Sequence, residues 1–125
     1  MNYTQELKSK QNNRKIGTAY EALARKYLED IDYTILNMNY RCKSGEIDII
    51  STDGEYIIFI EVKYRKTALF GYPRESVNYH KQRRIIAVAK YFLLTHKLTH
   101  KNCRFDVVEV LDDKITHIEN AFAEG

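Results

Sequence analysis

Residues 45–65 read GEIDIISTDGEYIIFIEVKYR, two apolar runs that a short polar turn separates and that three charged residues break. Asp48 interrupts Ile47, Ile49 and Ile50. Glu61 and Lys63 interrupt Ile57, Ile58, Phe59, Ile60 and Val62. Charged side chains are rarely buried without a partner or an ion, because stripping their water is costly. Three of them inside two core-type strands therefore mark a site. The segment Ser51-Thr52-Asp53-Gly54-Glu55 carries the Asp-Gly hairpin signal, so the two runs are expected to pair antiparallel. That pairing brings Asp48 broadly opposite residues 58–60 and next to Glu61, with a bulge or divergence of the strands completing the alignment. Glu61 and Lys63 share a strand face, about 6–7 Å apart along the chain. Two carboxylates beside an ammonium offer hard oxygen ligands in a half-open arrangement, which suits Mg²⁺. Glu46 shares the expected face of Asp48 and is a further ligand or supporting partner.

Outward from this hairpin, the chain reads as alternating helices and strands. A first helix is expected from about Lys15 to Asp30, with Ile16, Tyr20, Leu23, Tyr27, Leu28 and Ile31 at helical spacing. Residues 1–13 are polar and expected to fray. Strands follow near 33–41, 46–52 and 55–65, then a loop at 66–73 with Gly71 and the single proline, Pro73. Pro73 suits the first turn of a second helix ending near Thr95. Two more strands are expected at 104–110 and 114–118, joined at Asp112-Asp113. The order α-β-β-β-α-β-β predicts one α/β domain over residues 14–123, a central mixed sheet flanked by helices.

Both helices carry charges where a periodic pattern asks for something else. Gly17, Glu21, Ala24 and Leu28 fall on one line of the first helix, which sets Glu21 at the margin of the apolar stripe between small residues. It either faces the site or pairs with Arg25 one turn on. On the second helix Val77, Lys81, Ile85, Val88 and Phe92 form the inward stripe. Lys81 either reaches the carboxylates or a phosphate, or snorkels to solvent. Gln82, Arg83 and Arg84 flank it, Arg65 continues the face of Glu61 and Lys63, and Arg41 and Lys43 border the site. A basic rim around an acidic centre gives salt-sensitive, sequence-independent affinity for a phosphate backbone. Asp106, inside an apolar strand, is expected to form a buried salt bridge. His96 and His100 have the spacing of a zinc pair, but no acidic partner motif accompanies them.

Asp48 and Glu61-Val62-Lys63 together resemble the PD-(D/E)XK, or restriction-endonuclease-like, nuclease superfamily, with Ile47 where a proline often stands. GTAYEALARKYL (17–28), GEIDII (45–50), FIEVKYR (59–65), GYP (71–73), KQRRI (81–85) and RFDVVEV (104–110), with Asn120-Ala121-Phe122 near the end, are similar to the YraN family of small bacterial proteins. This likeness covers about residues 14–123. It implies a restriction-endonuclease-like fold. It also implies Asp48, Glu61 and the Val62 carbonyl as ligands of Mg²⁺ or Mn²⁺. Lys63 would orient or deprotonate the attacking water, or neutralise the phosphate. By similarity to junction-resolving nucleases, Glu21 would join the catalytic metal site.

Composition agrees with these expectations. A chain of 125 residues, 44% hydrophobic and 30% charged, fits one soluble domain with a real core. No apolar stretch approaches a membrane span, and MNYTQELKSKQNN is not a signal peptide. Two cysteines, Cys42 and Cys103, are too few for a disulfide framework or a zinc cluster, so a reduced, cytoplasmic setting is expected. The net charge of +3 is compatible with nucleic acid. The sequence thus points to a metal-dependent endonuclease acting on DNA rather than RNA, with branched or structured DNA favoured by analogy and a homodimer suited to cutting two strands. The alternative is a non-catalytic nucleic-acid-binding or adaptor protein on the same fold.

Overall fold

The Asp53-Gly54 turn forms as the sequence asks. The Asp53 carboxylate accepts from the amides of Glu55 and Tyr56 at 2.9 and 2.8 Å, and the Thr52 hydroxyl accepts from the Gly54 amide at 3.0 Å. Gly54 has φ +98°, a backbone conformation open to glycine. The computed structural model describes residues 3–65 and 77–124, of which residues 3–16 are described by their backbone alone. The elements are α1 (Tyr3–Asp30), β1 (Thr34–Cys42), β2 (Gly45–Thr52), β3 (Ile57–Arg65), α2 (Tyr79–Thr95), β4 (Cys103–Leu111) and β5 (Lys114–Phe122). The expected order α-β-β-β-α-β-β holds, and the protein is α/β.

The five strands form one mixed sheet in sequence order. β1–β2, β2–β3 and β4–β5 are antiparallel, whereas β3 and β4 are parallel from Ile57/Cys103 to Arg65/Leu111. A parallel pair needs a crossover of a dozen or more residues, and α2 lies in that crossover. The helices cover opposite faces. Ala24 and Leu28 of α1 pack in one core cluster with Ile49, Ile58, Ile60 and Val108. Ile85, Val88, Ala89 and Phe92 of α2 pack in another with Ile47, Ile50, Phe59, Phe105 and Val107. Among the described residues no helix is long and apolar enough to cross a membrane.

Several boundaries differ from the sequence reading. α1 begins at Tyr3 rather than near Lys15, because residues 3–14 contain no glycine or proline to stop a helix. α2 begins at Tyr79, where Asn78 caps it by accepting the Lys81 amide at 2.9 Å. Pro73, Gly71 and the expected loop at 66–73 lie outside the described residues. β5 runs on to Phe122. Leu23 and Ile31, expected on the inward stripe of α1, are 44% and 39% exposed. Leu28 of that stripe is fully buried as expected, and Ala24 is buried with it.

Asp106 forms the buried salt bridge its position calls for. It is fully buried and takes two hydrogen bonds from Arg104, at 2.9 and 3.0 Å. The Asn120 amide donates to it at 2.9 Å, and His117 Nε2 lies 2.7 Å away. Tyr33 accepts from Arg104 at 2.7 Å, and the Tyr27 hydroxyl lies 3.0 Å from His117 Nδ1. The network ties α1 and the turn after it to β4 and β5. Both cysteines are free. His96 Nδ1 is engaged with the Phe92 carbonyl at 2.9 Å.

Candidate functional site

β2 and β3 pair regularly from Thr52/Ile57 to Ile49/Ile60, and the regular register ends there. At the fork, the amide of Val62 donates to the Asp48 carboxylate at 2.8 Å instead of to a strand carbonyl. One strand further out, Asn39 on β1 adopts φ +54°, a left-handed conformation that Asn tolerates, and the Asn39/Asp48 pair drops out of the β1–β2 ladder between Met38/Ile49 and Tyr40/Ile47. The side-chain alternation of β2 slips at this point: Ile49 packs on the α1 side, while Ile47 and Ile50 both pack on the α2 side. Asp48 therefore leaves the strand at a break in its pleat, where neither helix covers it completely.

Three carboxylates converge on the fork. One ligand oxygen each from Glu21, Glu46 and Asp48 lies within 4.8 Å of the others. Glu21 thus faces the site, and Arg25 pairs with Glu29 at 3.0 Å. Burial pushes the Glu21 carboxyl up; a hydrogen bond with Asn39 opposes this, and Glu46 and Glu61 add to it. The Asp48 carboxyl is pushed up to about 8, first by burial and then by Glu61, with the Val62 amide working the other way. Glu61 is not one of the three carboxylates; it meets the group through a hydrogen bond with Asp48.

Glu61 is 7% exposed and is shared by two lysines, with Lys81 Nζ at 2.5 Å and Lys63 Nζ at 3.8 Å. The inward Lys81 of α2 therefore reaches the site rather than solvent. Burial draws its ammonium pKa down, but the Glu61 carboxylate overrides this and the net shift is upward. The Lys63 ammonium is shifted down, by burial and by the neighbouring Lys81, against the pull of Glu61 and Asp48. Two ammonium groups compete for one carboxylate, and Lys81 holds it more closely.

The fork opens into two hollows. On the α2 side a cleft of about 310 Å³ is walled by Glu46, Asp48, Glu61, Lys81 and Arg84, with Gly45 and Ile85. On the α1 side a groove of about 530 Å³ is lined by Gly17, Thr18, Glu21, Asn39, Arg41 and Glu46. Glu46 belongs to both, and Arg41 Nε pairs with it at 2.7 Å.

The other basic candidates divide. Arg84 stands on the cleft wall and Arg41 in the adjoining groove, while Arg83 is exposed and lines neither. Arg65, its side chain 10% exposed, pairs with the buried Glu109 of β4 at 2.9 Å. Its expected place in the rim is thus taken by an internal contact. Asn39 escaped the sequence reading. Its one signal, shared with Asn37, is an Asn inside an otherwise strand-like run, TILNMNYRC.

The profile described as "Uncharacterised protein family UPF0102" matches residues 20–110, a span that takes in the whole cleft wall. A UPF0102 protein of Clostridium kluyveri is 52% identical over 99 residues, which cover 79% of this chain and 81% of that protein. One from Lachnoclostridium phytofermentans is 46% identical over 112 residues, covering 88% and 95%. One from Aliivibrio fischeri is 40% identical over 123 residues, covering 95% of this chain and all of its own.

Proposed function

Because this chain belongs to the uncharacterised protein family UPF0102 and gathers its charged core residues at one strand fork, we propose that its chemistry resides there and that it is a divalent-cation-dependent nuclease hydrolysing DNA phosphodiester bonds. The observation that carries this reading is the convergence of Glu21, Glu46 and Asp48, with Glu61 touching Asp48 and two lysines alongside. The donor set fits Mg²⁺ or Mn²⁺. All the side-chain ligands are carboxylate oxygens, and a carboxyl pushed up to about 8, first by burial and then by Glu61, holds a proton where a dication would stabilise the charged form.

Asp48, Glu21 and Glu46 would hold the ion, with Glu61 and the Val62 carbonyl as further oxygen donors at the fork. The ion, when bound, polarises the scissile phosphate and lowers the pKa of a bound water. Lys81 neutralises Glu61 and weakens the hold of Lys63 on its proton. Lys63 orients the attacking water and takes up its proton. Arg84 neutralises the phosphate backbone at the mouth of the cleft, and a homodimer would present two such sites to two strands. Branched or otherwise structured DNA remains the preferred substrate class, by analogy with junction-resolving nucleases.

The test is incubation with linear, nicked, flapped and four-way DNA in Mg²⁺, Mn²⁺ or EDTA. Cleavage is expected only with a cation and is lost in Asp48→Ala and Lys63→Ala. DNA affinity in these variants stays within about an order of magnitude, because rim cations supply it. Absence of cleavage with either cation, together with equal DNA affinity in EDTA, would replace the enzyme with the adaptor reading.

A further inference from the structure

Gly17 lies inside α1, where glycine is a poor helix former beside alanine. Packing does not require it, since a Cβ built there meets nothing within 4 Å. The space it leaves is part of the groove of about 530 Å³ beside Thr18, Glu21, Asn39, Arg41 and Glu46. The chain thus carries a helix-weakening residue in a place where its own described atoms make no use of the room. Glycine at such a place admits close approach by something other than the protein's own side chains.

We infer that this groove is a nucleoside subsite, taking the sugar and base of the nucleotide next to the scissile phosphate. The inference rests on the nuclease reading above. Three features select the occupant. The groove shares its Glu46 wall with the cleft, so a strand whose phosphate lies in one continues into the other. Its volume falls within the roughly 300–1,000 Å³ of small-molecule sites. Its lining offers a phosphate no unpaired cation among the described residues, because Glu21 and Glu46 turn to the ion and Arg41 is already paired with Glu46. Thr18 and Asn39 instead offer neutral donors and acceptors, suited to hydroxyls and to the edge of a base. A nucleoside seated there has left the base stack, so the substrates are those with an unpaired nucleotide beside the cut: flaps, frayed ends and single strands.

Gly17→Ala and Gly17→Gln test this with two independent readouts, thermal unfolding and binding of a fluorescein-labelled oligothymidylate in Ca²⁺. Gly17→Ala is expected to raise Tm by about 2–4 °C, since alanine is the better helix former. Gly17→Gln is expected to weaken oligothymidylate binding about tenfold or more, the scale of one lost nucleoside contact. Affinity for a blunt duplex should not change in either variant. Unaltered oligothymidylate binding in Gly17→Gln, or a lower Tm in Gly17→Ala, would overturn the subsite while wild-type cleavage stands. A wild type that neither cleaves DNA with any cation nor binds oligothymidylate would overturn the nuclease reading and this subsite with it.

Discussion

Asp48 is the residue whose chemistry the fold alters most. Its carboxyl sits at about 8 in the folded protein, against an ordinary value of 3.8. Between those values the folded chain keeps a proton that the unfolded chain releases, so metal-free stability falls as pH rises through that window. Asp48→Asn should flatten the decline, as read from Tm against pH in EDTA; an equal slope in both proteins would refute the assignment. Lys81 gives a second prediction at this scale. Removing it in Lys81→Gln leaves Lys63 as the nearest ammonium to Glu61, so Lys63 holds its proton to higher pH. The acidic, rising limb of the cleavage–pH profile should then move to higher pH, and an unmoved limb would exclude Lys63 as proton acceptor. Asp48, Glu61 and Lys63 were legible as candidates because charges stand out in apolar strands. Glu46 was legible too, as a residue on the face of Asp48, but Asn39 was not, since no periodicity reveals its positive φ. Lys81 was visible as an inward lysine with the carboxylates, a phosphate or solvent open to it, and the choice of Glu61 was not, since a helix-to-strand contact belongs to neither pattern.

Among the elements, β2 and β4 each carry one aspartate at an irregularity, and their surroundings give the two opposite characters. Asp48 is crowded by carboxylates. Asp106, where the β4–β5 register shifts, is buried too, yet His117, Arg104 and the Asn120 amide hold its carboxyl below the ordinary range. Its stabilising contribution is present at neutral pH and is lost as pH falls through that lowered value. Asp106→Ala leaves Arg104 without its main partner and should cost about 3–5 kcal/mol, measured by urea unfolding. A loss under about 1 kcal/mol would show that the network is not a structural tie. The sequence presents both residues alike, as an Asp among valines and isoleucines, and only the neighbouring elements separate them. The start of α2 was misplaced for a similar reason. Pro73 is a strong local signal, whereas the Asn78 cap sits unannounced several residues later.

For the molecule as a whole, the mixed sheet was legible because a helix falls between the third and fourth strands, and a bulge or divergence beside Asp48 was legible too, though not its form. The parallel β3–β4 pairing also has a kinetic consequence. The three-stranded meander is built from near neighbours and is complete by Arg65, but β3 gains its second partner only after the chain has passed through α2. Local pairings form early and distant ones late. Until β4 arrives, Ile57-Ile58-Phe59-Ile60 presents an open, strongly apolar edge of the kind that recruits a second chain. Glu61 and Lys63 end that run with charge at once, so the residues assigned to the cleft also act as gatekeepers against self-association. Replacing both with valine should make refolding concentration-dependent, with light scattering rising in step with protein concentration. Clean refolding of the double variant at every concentration would assign that protection elsewhere. These two charges thus serve the chain before any site exists, by keeping its newest strand single long enough to find its partner.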